Sequence, residues 1–330
     1  MKIAVVGAGA IGGYLGVRLA HSGEDVTFIA RGANLAAIRA VGMKLILEDG
    51  SELRAEGARA FERMSDVGPQ DVVLLTLKAH QVAAVARDLN QLCHETTSVV
   101  TMQNGIPWWY FHKHGGQYDG TPVVSADPDG SIARSIDAAR VIGSVVYPAA
   151  NLVSPGVVQV VEGNRFTLGE LDGSTTPRIE AVSASFTKAG FKAPVSKDIR
   201  SEIWLKLWGN LSFNPVSALT HATLDRVTGD RATRAVCRSM MMEAQRIGER
   251  IGVKFRVDAD RRLDGAGAVG PHKISMLLDL ERGRPMEIDP IVTVVQEIGQ
   301  RLAIATPTID VVAALIKLRQ AVALPRPTVG

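Results

Sequence analysis

Cysteines, aromatic residues and long apolar runs are all scarce in this chain. Among its 330 residues only Cys93 and Cys237 are cysteines. They stand far apart without metal-ligand spacing, which excludes a disulfide framework and a cysteine-built metal site. Reduced, partly buried thiols of a cytosolic, and so cytoplasmic, protein are the expectation. No metal is expected elsewhere: Asp127-Pro128-Asp129-Gly130 opens like a calcium loop but lacks the later ligands, so it reads as a turn. No stretch is long and apolar enough to span a membrane, and the glycines and Arg18 near the N-terminus break up the apolar centre a signal peptide needs. The formal charge of +3 is too small to argue for nucleic acid, though a slightly basic balance suits anionic small ligands. Aromatics make up 5%, yet Trp108, Trp109, Tyr110 and Phe111 follow Pro107 in a row. They predict a short helix whose rings cover either the core or a ligand cleft. Internal repeats are absent, and the only low-complexity stretch is the Pro-rich tail, Leu324 to Gly330, expected to fray.

What is present begins at the N-terminus. The chain is long enough for two domains with sizeable cores. Ile3 to Val6 form a short apolar run that breaks into Gly7-Ala8-Gly9-Ala10-Ile11-Gly12 and then into a helical pattern with Leu15, Val17 and Leu19. Gly7 allows a sharp turn, Gly9 removes the side chain where a pyrophosphate approaches, and Gly12 lets the helix pack closely on the strand. Free amides at the positive end of that helix then face the phosphates of a dinucleotide. His21-Ser22-Gly23 closes the helix, and Asp25 to Ala30 reads as a second strand ending in Arg31. An acidic residue there would select NAD through the ribose 2′-hydroxyl; a guanidinium favours the 2′-phosphate of NADP(H), unless Arg31 is merely a solvated loop residue.

Met43 to Leu53 predict a hairpin with an acidic turn. Asp71 to Leu77 is the continuous apolar run of a strand buried on both faces, and it delivers Lys78 to its carboxyl end. A helix is expected over 82–92. Ser98 to Met102 is a further strand, ending in Gln103-Asn104-Gly105. Lys78 and Asn104 each suit a turn as well as a ligand site, but both stand at strand ends. Val141 to Tyr147, Val157 to Val161 and Arg165 to Leu168 suggest more strands, and Pro177 to Lys188 a helix.

From about Asp198 only helical patterns continue, to about Ala323. These observations give an α/β fold class, with a doubly wound N-terminal sheet over 1–197 and an all-helical domain over 198–330. On the helix expected from Ile199 to Asn214, Lys206, Asn210 and Asn214 recur every fourth residue as one polar stripe. That stripe is either solvated or, if buried, in need of a polar ligand. Pro215 is expected to end or bend this helix. Asp289 reads as an N-cap before Pro290, which leaves Glu287 either solvated or bonded to a hydroxyl or ammonium.

Taken together, the glycine turn with Arg31, the strand-end Lys78, Gln103-Asn104-Gly105, the run Lys206-Leu-Trp-Gly-Asn210-Leu-Ser-Phe-Asn214-Pro215, Ser275-Met-Leu-Leu-Asp279 and Glu287-Ile-Asp289 resemble the ketopantoate reductase family over nearly the whole chain. The resemblance implies a Rossmann-type N-terminal domain, a helical C-terminal domain, a cleft between them, and NADPH-dependent reduction of 2-dehydropantoate to pantoate for coenzyme A synthesis. It further implies that Gly7, Ala8, Gly9, Ala10, Ile11, Gly12, Arg31, Lys78 and Asn104 hold the cofactor, with Ala149 touching it through the backbone. Lys206 would donate the proton, and Asn104, Asn210, Asn214 and Ser275 would bind the substrate. Glu287 would sit near the nicotinamide ribose and the substrate.

The chemistry this implies is hydride attack on a ketone, whose developing alkoxide needs positive charge and a proton within reach; a lysine supplies both. A reductase of another small 2-oxo or 3-oxo acid and a non-catalytic NADPH sensor are the competing expectations. Two departures bear on the substrate: roughly twenty residues more than typical element lengths require between Asn104 and Ala149, and no asparagine in His221-Ala222-Thr223-Leu224 where the family often has one. The many apolar helical faces raise a homodimer as a further expectation.

Overall fold

The computed structural model describes residues 1–324, so the expected fraying beyond Leu324 lies outside the described residues. In chain order its strands are β1 (Lys2–Val6), β2 (Asp25–Ile29), β3 (Met43–Ile46), β4 (Glu52–Ala55), β5 (Arg59–Phe61), β6 (Gln70–Leu75), β7 (Cys93–Thr101), β8 (Val141–Val146), β9 (Ala149–Ser154), β10 (Val157–Glu162) and β11 (Phe166–Glu170). The helices in the same span are α1 (Ala10–His21), α2 (Gly32–Val41), α3 (Ala79–Val82), α4 (Ser131–Ser135) and α5 (Pro177–Lys188). Then come α6 (Ile199–Thr220), α7 (Leu224–Gly229), α8 (Arg231–Arg250), α9 (Ala259–Gly267), α10 (Ser275–Glu281), α11 (Val294–Arg301) and α12 (Pro307–Ala323). The chain divides into two compact units, one of residues 1–103, 108–122 and 129–202, the other of 104–107, 123–128 and 203 onward.

The first unit is built on a seven-stranded sheet in the order β11-β8-β7-β6-β1-β2-β5. All its neighbours are parallel except the β11–β8 pair. The apolar run of β6 explains its central place: Val72, Val73, Leu74 and Leu75 are buried on both faces of the sheet. A smaller sheet, β4-β3-β10-β9, covers α1 from the other side. Small residues on α1 make this layering fit. A Cβ on Gly16 would lie 2.3 Å from Phe28 of β2, and one on Gly13 would lie 2.5 Å from Met43 of β3 and 2.6 Å from Val158 of β10. The fold is thus the expected doubly wound α/β sheet, with a second sheet standing where such folds commonly place a helix.

The aromatic run is core. Trp109, Tyr110 and Phe111 are buried, and Trp109 Nε1 donates to Thr101 Oγ1 at 2.9 Å. The run forms successive turns, not the expected helix. Arg200 fixes it by donating to the carbonyls of Tyr110 (2.7 Å), Leu171 (2.5 Å) and His112. The guanidinium satisfies two carbonyls at and just after the aromatic run, Tyr110 and His112, so those groups need no helical partner, and its bond to Leu171 anchors the segment to the end of β11.

Other local expectations also change. The helix expected over 82–92 is a short α3 followed by turns and a 3₁₀ segment, Asp88–Leu92. Val82, Val85, Ala86, Leu89 and Leu92 are still buried, so tighter turns satisfy the same periodicity. Pro215 does not end α6, which runs on to Thr220 because Val216 and Ala218 continue its buried face. Asp289 is not an N-cap: it is the first residue of a π-helical turn, Asp289–Thr293, and accepts from Thr293 Oγ1 at 2.8 Å. β5 and β9 are short, weakly patterned strands that the sequence does not signal.

All regular structure of the second unit is helical among the described residues. Trp208 Nε1 donates to the Met241 carbonyl at 2.7 Å, tying α6 to α8. Buried Glu243 of α8 accepts the amides of Thr308 and Ile309 at 2.9 and 3.0 Å, and so caps α12 from outside that helix. No helix among the described residues is long and apolar enough to cross a membrane.

Candidate functional site

In the first unit, the glycine turn is held by groups that distance in sequence conceals. Gly7 takes φ of 105°. A Cβ at Gly12 would lie 2.1 Å from the Gly7 carbonyl and 2.6 Å from Thr76 Oγ1, so no larger residue fits without breaking the turn. Thr76 Oγ1 lies within donating distance of the carbonyls of Val6 (3.1 Å) and Gly7 (2.7 Å). Asn34 donates to the Ala8 carbonyl at 2.6 Å and accepts from the Gly156 amide at 2.7 Å. Thr76 and Asn34 carry no motif of their own, and sequence reading misses both.

The turn fits a pyrophosphate. A Cβ at Gly9 would meet nothing within 4 Å, so the space beside it is open. Gly9 caps α1 without a side-chain bond, and the first turn, from Ala10 and Ile11, has no acidic residue to neutralise its positive end. Arg31 follows β2 in extended conformation, exposed, with no side-chain cap bond of its own. The parallel register of β2 with β5 pairs Ile29 with Phe61. That register brings a second arginine, Arg63, to the same carboxyl edge, where it pairs with Asp66 at 2.9 Å. A three-residue strand gives no sequence signal for this pairing.

Lys78 stands half-buried after β6, with its amide donated to Gln81 Oε1 at 3.2 Å. Gln103 donates to the carbonyls of Leu75 and Leu77 at 2.8 and 2.9 Å, holding the end of β6 beside its neighbour. Ala149 lies three residues past the carboxyl end of β8 in the large sheet and opens β9 in the smaller one.

The second unit brings together three residues that are remote in sequence. Lys206 Nζ donates to Asn104 Oδ1 at 2.7 Å, and Asn104 Nδ2 donates to Glu287 Oε2 at 3.1 Å. The backbone beside Asn104 is fixed by Pro290, whose carbonyl accepts from the Ile106 amide at 2.9 Å. A Cβ at Gly105 would lie 1.9 Å from that carbonyl, so only glycine lets the segment approach. Lys206 as a whole keeps some solvent access, but its ammonium lies in dense protein. Burial pulls its pKa down to about 8, against the opposing pull of the Glu287 carboxylate. Asn210 (half-buried) and Asn214 (3% exposed) continue along the same face of α6. Neither amide makes a side-chain hydrogen bond to another described residue, which leaves donors and acceptors for a ligand. Ser275, exposed, begins α10. Such a cluster can hold an oxyanion, supply a proton and orient a carboxylate or hydroxyl.

A parallel doubly wound sheet with an uncapped glycine turn, joined to a helical unit with a buried lysine among amides, defines the class as a nicotinamide-dinucleotide oxidoreductase. Residues 3–173 match the family ketopantoate reductase PanE/ApbA, and residues 198–320 match its C-terminal domain family. The chain is 54% identical to 2-dehydropantoate 2-reductase of Mesorhizobium japonicum over 318 residues, 96% of this chain and 97% of that one. A solved candidate ketopantoate reductase from Ralstonia solanacearum superposes with a TM-score of 0.93 at 40% identity, covering 98% of this chain and 99% of the other. The structure of 2-dehydropantoate 2-reductase from Geobacter metallireducens has a TM-score of 0.84 at 30% identity, covering 96% and 99%. The chain belongs to the ketopantoate reductase family.

Proposed function

We propose that this chain reduces 2-dehydropantoate to pantoate with NADPH, a step that supplies coenzyme A synthesis, and that Lys206 is the proton donor. The observation that carries the reading is the Lys206–Asn104–Glu287 network, a lysine kept cationic in dense protein with a lowered pKa. Bound NADPH supplies a hydride to the ketone carbon. As the carbonyl oxygen gains charge, Lys206 Nζ holds it and transfers a proton to it, leaving a neutral amine that water reprotonates. Asn104 orients the ammonium through its Oδ1, and Glu287 fixes the Asn104 amide so that this oxygen faces the lysine. Asn210, Asn214 and Ser275 bind the substrate carboxylate and hydroxyl with side-chain donors that have no competing partner among the described residues.

Gly7 to Gly12 and the amides of α1 hold the pyrophosphate. Lys78, Asn104, Glu287 and the Ala149 backbone complete the cofactor contacts. Arg31, with Arg63 at the same edge, receives the 2′-phosphate; the preference for NADPH over NADH rests on two cations and on the lack of an acid at the end of β2.

The test is the loss of reduced-nicotinamide absorbance with NADPH or NADH and a panel of 2-oxo and 3-oxo acids. Oxidation of NADPH with 2-dehydropantoate above all other acids is the expected result. Turnover of a different acid would overturn the substrate. Tight NADPH binding with no turnover of any acid, unchanged in Lys206→Ala, would make the protein a sensor.

A further inference from the structure

Each carbonyl of the glycine turn has a partner, but its amides divide into two groups. The Gly7 and Ala8 amides both donate to the Ile29 carbonyl, at 3.2 and 3.3 Å. The Gly7 oxygen lies 2.7 Å from Thr76 Oγ1, the Ala8 oxygen 2.6 Å from Asn34 Nδ2, and the Gly9 oxygen accepts from the Gly13 amide at 2.7 Å. The Gly9 amide donates to no described residue. With open space beside Gly9, that donor is left for an acceptor from outside the protein, and the first amides of α1 continue the series.

A trans peptide group is planar, with its oxygen and its hydrogen on opposite sides. Whatever holds the Ala8 oxygen therefore aims the Gly9 hydrogen the other way. Half-buried Asn34, the third residue of α2, is the side chain that holds it. The orientation of this amide is fixed as well. A carbonyl only accepts and a backbone N–H only donates, so Nδ2 faces Ala8 and Oδ1 faces the Gly156 amide, 2.7 Å away. Gly156 is anchored in turn: it joins β9 to β10 with φ of 73°, and its carbonyl accepts from the Lys44 amide of β3 at 2.8 Å. A Cβ at Gly156 would lie 3.0 Å from the Cβ of Ala37, so α2 packs directly on this turn. Thr76 plays a different part, because the hydrogen opposite the Gly7 oxygen belongs to Ala8 and points inward at Ile29.

We propose that Asn34 is a positioning residue for the cofactor, aiming the Gly9 amide at the pyrophosphate and bracing it against the smaller sheet through Gly156. This role rests on the turn being the pyrophosphate site of NADPH. Its effect falls on ligands that carry a pyrophosphate.

Calorimetric titration with NADPH and with 2′-AMP, which has the adenine and the 2′-phosphate but no pyrophosphate, separates this role from a structural one. Asn34→Ala should raise the Kd for NADPH about 10- to 100-fold, the worth of a hydrogen bond to a charged group, and leave that for 2′-AMP within about twofold. Asn34→Ser, too short to reach both partners, should do the same, whereas Arg31→Gln should weaken both ligands. In turnover, the Asn34 variants should raise KM for NADPH and keep kcat, the pattern of binding lost equally from ground and transition states. Circular dichroism on each variant identifies the folded proteins. Unchanged NADPH affinity in a folded Asn34 variant, equal losses for NADPH and 2′-AMP, or a fall in kcat with KM kept would overturn the role of Asn34 and leave the cofactor site standing. A wild-type protein that does not bind NADPH would overturn the cofactor site itself, and the role of Asn34 with it.

Discussion

Lys206 has to be both a buried cation and a proton donor, and its surroundings reconcile the two. Burial disfavours the ammonium, while Asn104 Oδ1 at 2.7 Å and the Glu287 carboxylate favour it. The resulting pKa of about 8 keeps the group protonated at neutral pH yet ready to release its proton. Turnover should therefore fall as pH rises through about 8, which a pH profile of kcat/KM will show. The same shift has a consequence for stability. Its folded value lies below the unfolded 10.5, so between about 8 and 10.5 the unfolded chain holds a proton the folded one has released. The contribution of this residue to stability thus rises with pH across that window. Replacing Lys206 with Ala should lower kcat by about 10²- to 10⁴-fold, the usual worth of a general acid, with NADPH affinity kept in a fluorescence titration. At the other site, Arg31→Gln should raise the Kd for NADPH about tenfold and leave that for NADH unchanged.

Close approach decides the behaviour of individual elements. The β1–α1 turn depends on Gly12, where a methyl group would enter the Gly7 carbonyl and Thr76 Oγ1. Gly12→Ala should cost about 1–3 kcal/mol in urea unfolding and abolish NADPH binding, since the amides of α1 would no longer converge. Within the helical unit, Glu297 of α11 does a comparable job for the short segment 123–128. It accepts from the Val124 amide at 2.9 Å, and from the Ser125 amide and hydroxyl at 2.7 and 2.6 Å. Glu297→Ala should destabilise the protein by about 2–3 kcal/mol in the same measurement, because three donors lose a charged acceptor together. This segment belongs to the stretch between Asn104 and Ala149 that is longer than element lengths require. Arg200 and Glu297 are the groups that hold parts of that stretch in place.

At the scale of the whole molecule, stability should follow the ligand. NADPH at about a hundredfold excess over its Kd should add about 2.7 kcal/mol and raise the melting temperature by several degrees, and Gly12→Ala should show no such shift in calorimetry. What the sequence by itself determined is everything written in local pattern: the glycine turn, the buried runs of β1 and β6, the long helices and the polar stripe on α6. These follow from periodicity and backbone sterics, which act over a few residues. The tertiary structure decided the rest. Nothing near Asn104 in the chain announces Glu287, yet the two share a hydrogen bond though they stand 183 positions apart. Asn34 and Thr76 hold the glycine turn through contacts that no local spacing encodes. The turns found where a helix is expected at Trp108 to Phe111 have carbonyls, those of Tyr110 and His112, satisfied by Arg200 from 90 and 88 positions away in the chain. The pKa of Lys206 is likewise a property of its surroundings, because desolvation depends on what the folded chain packs around a charge.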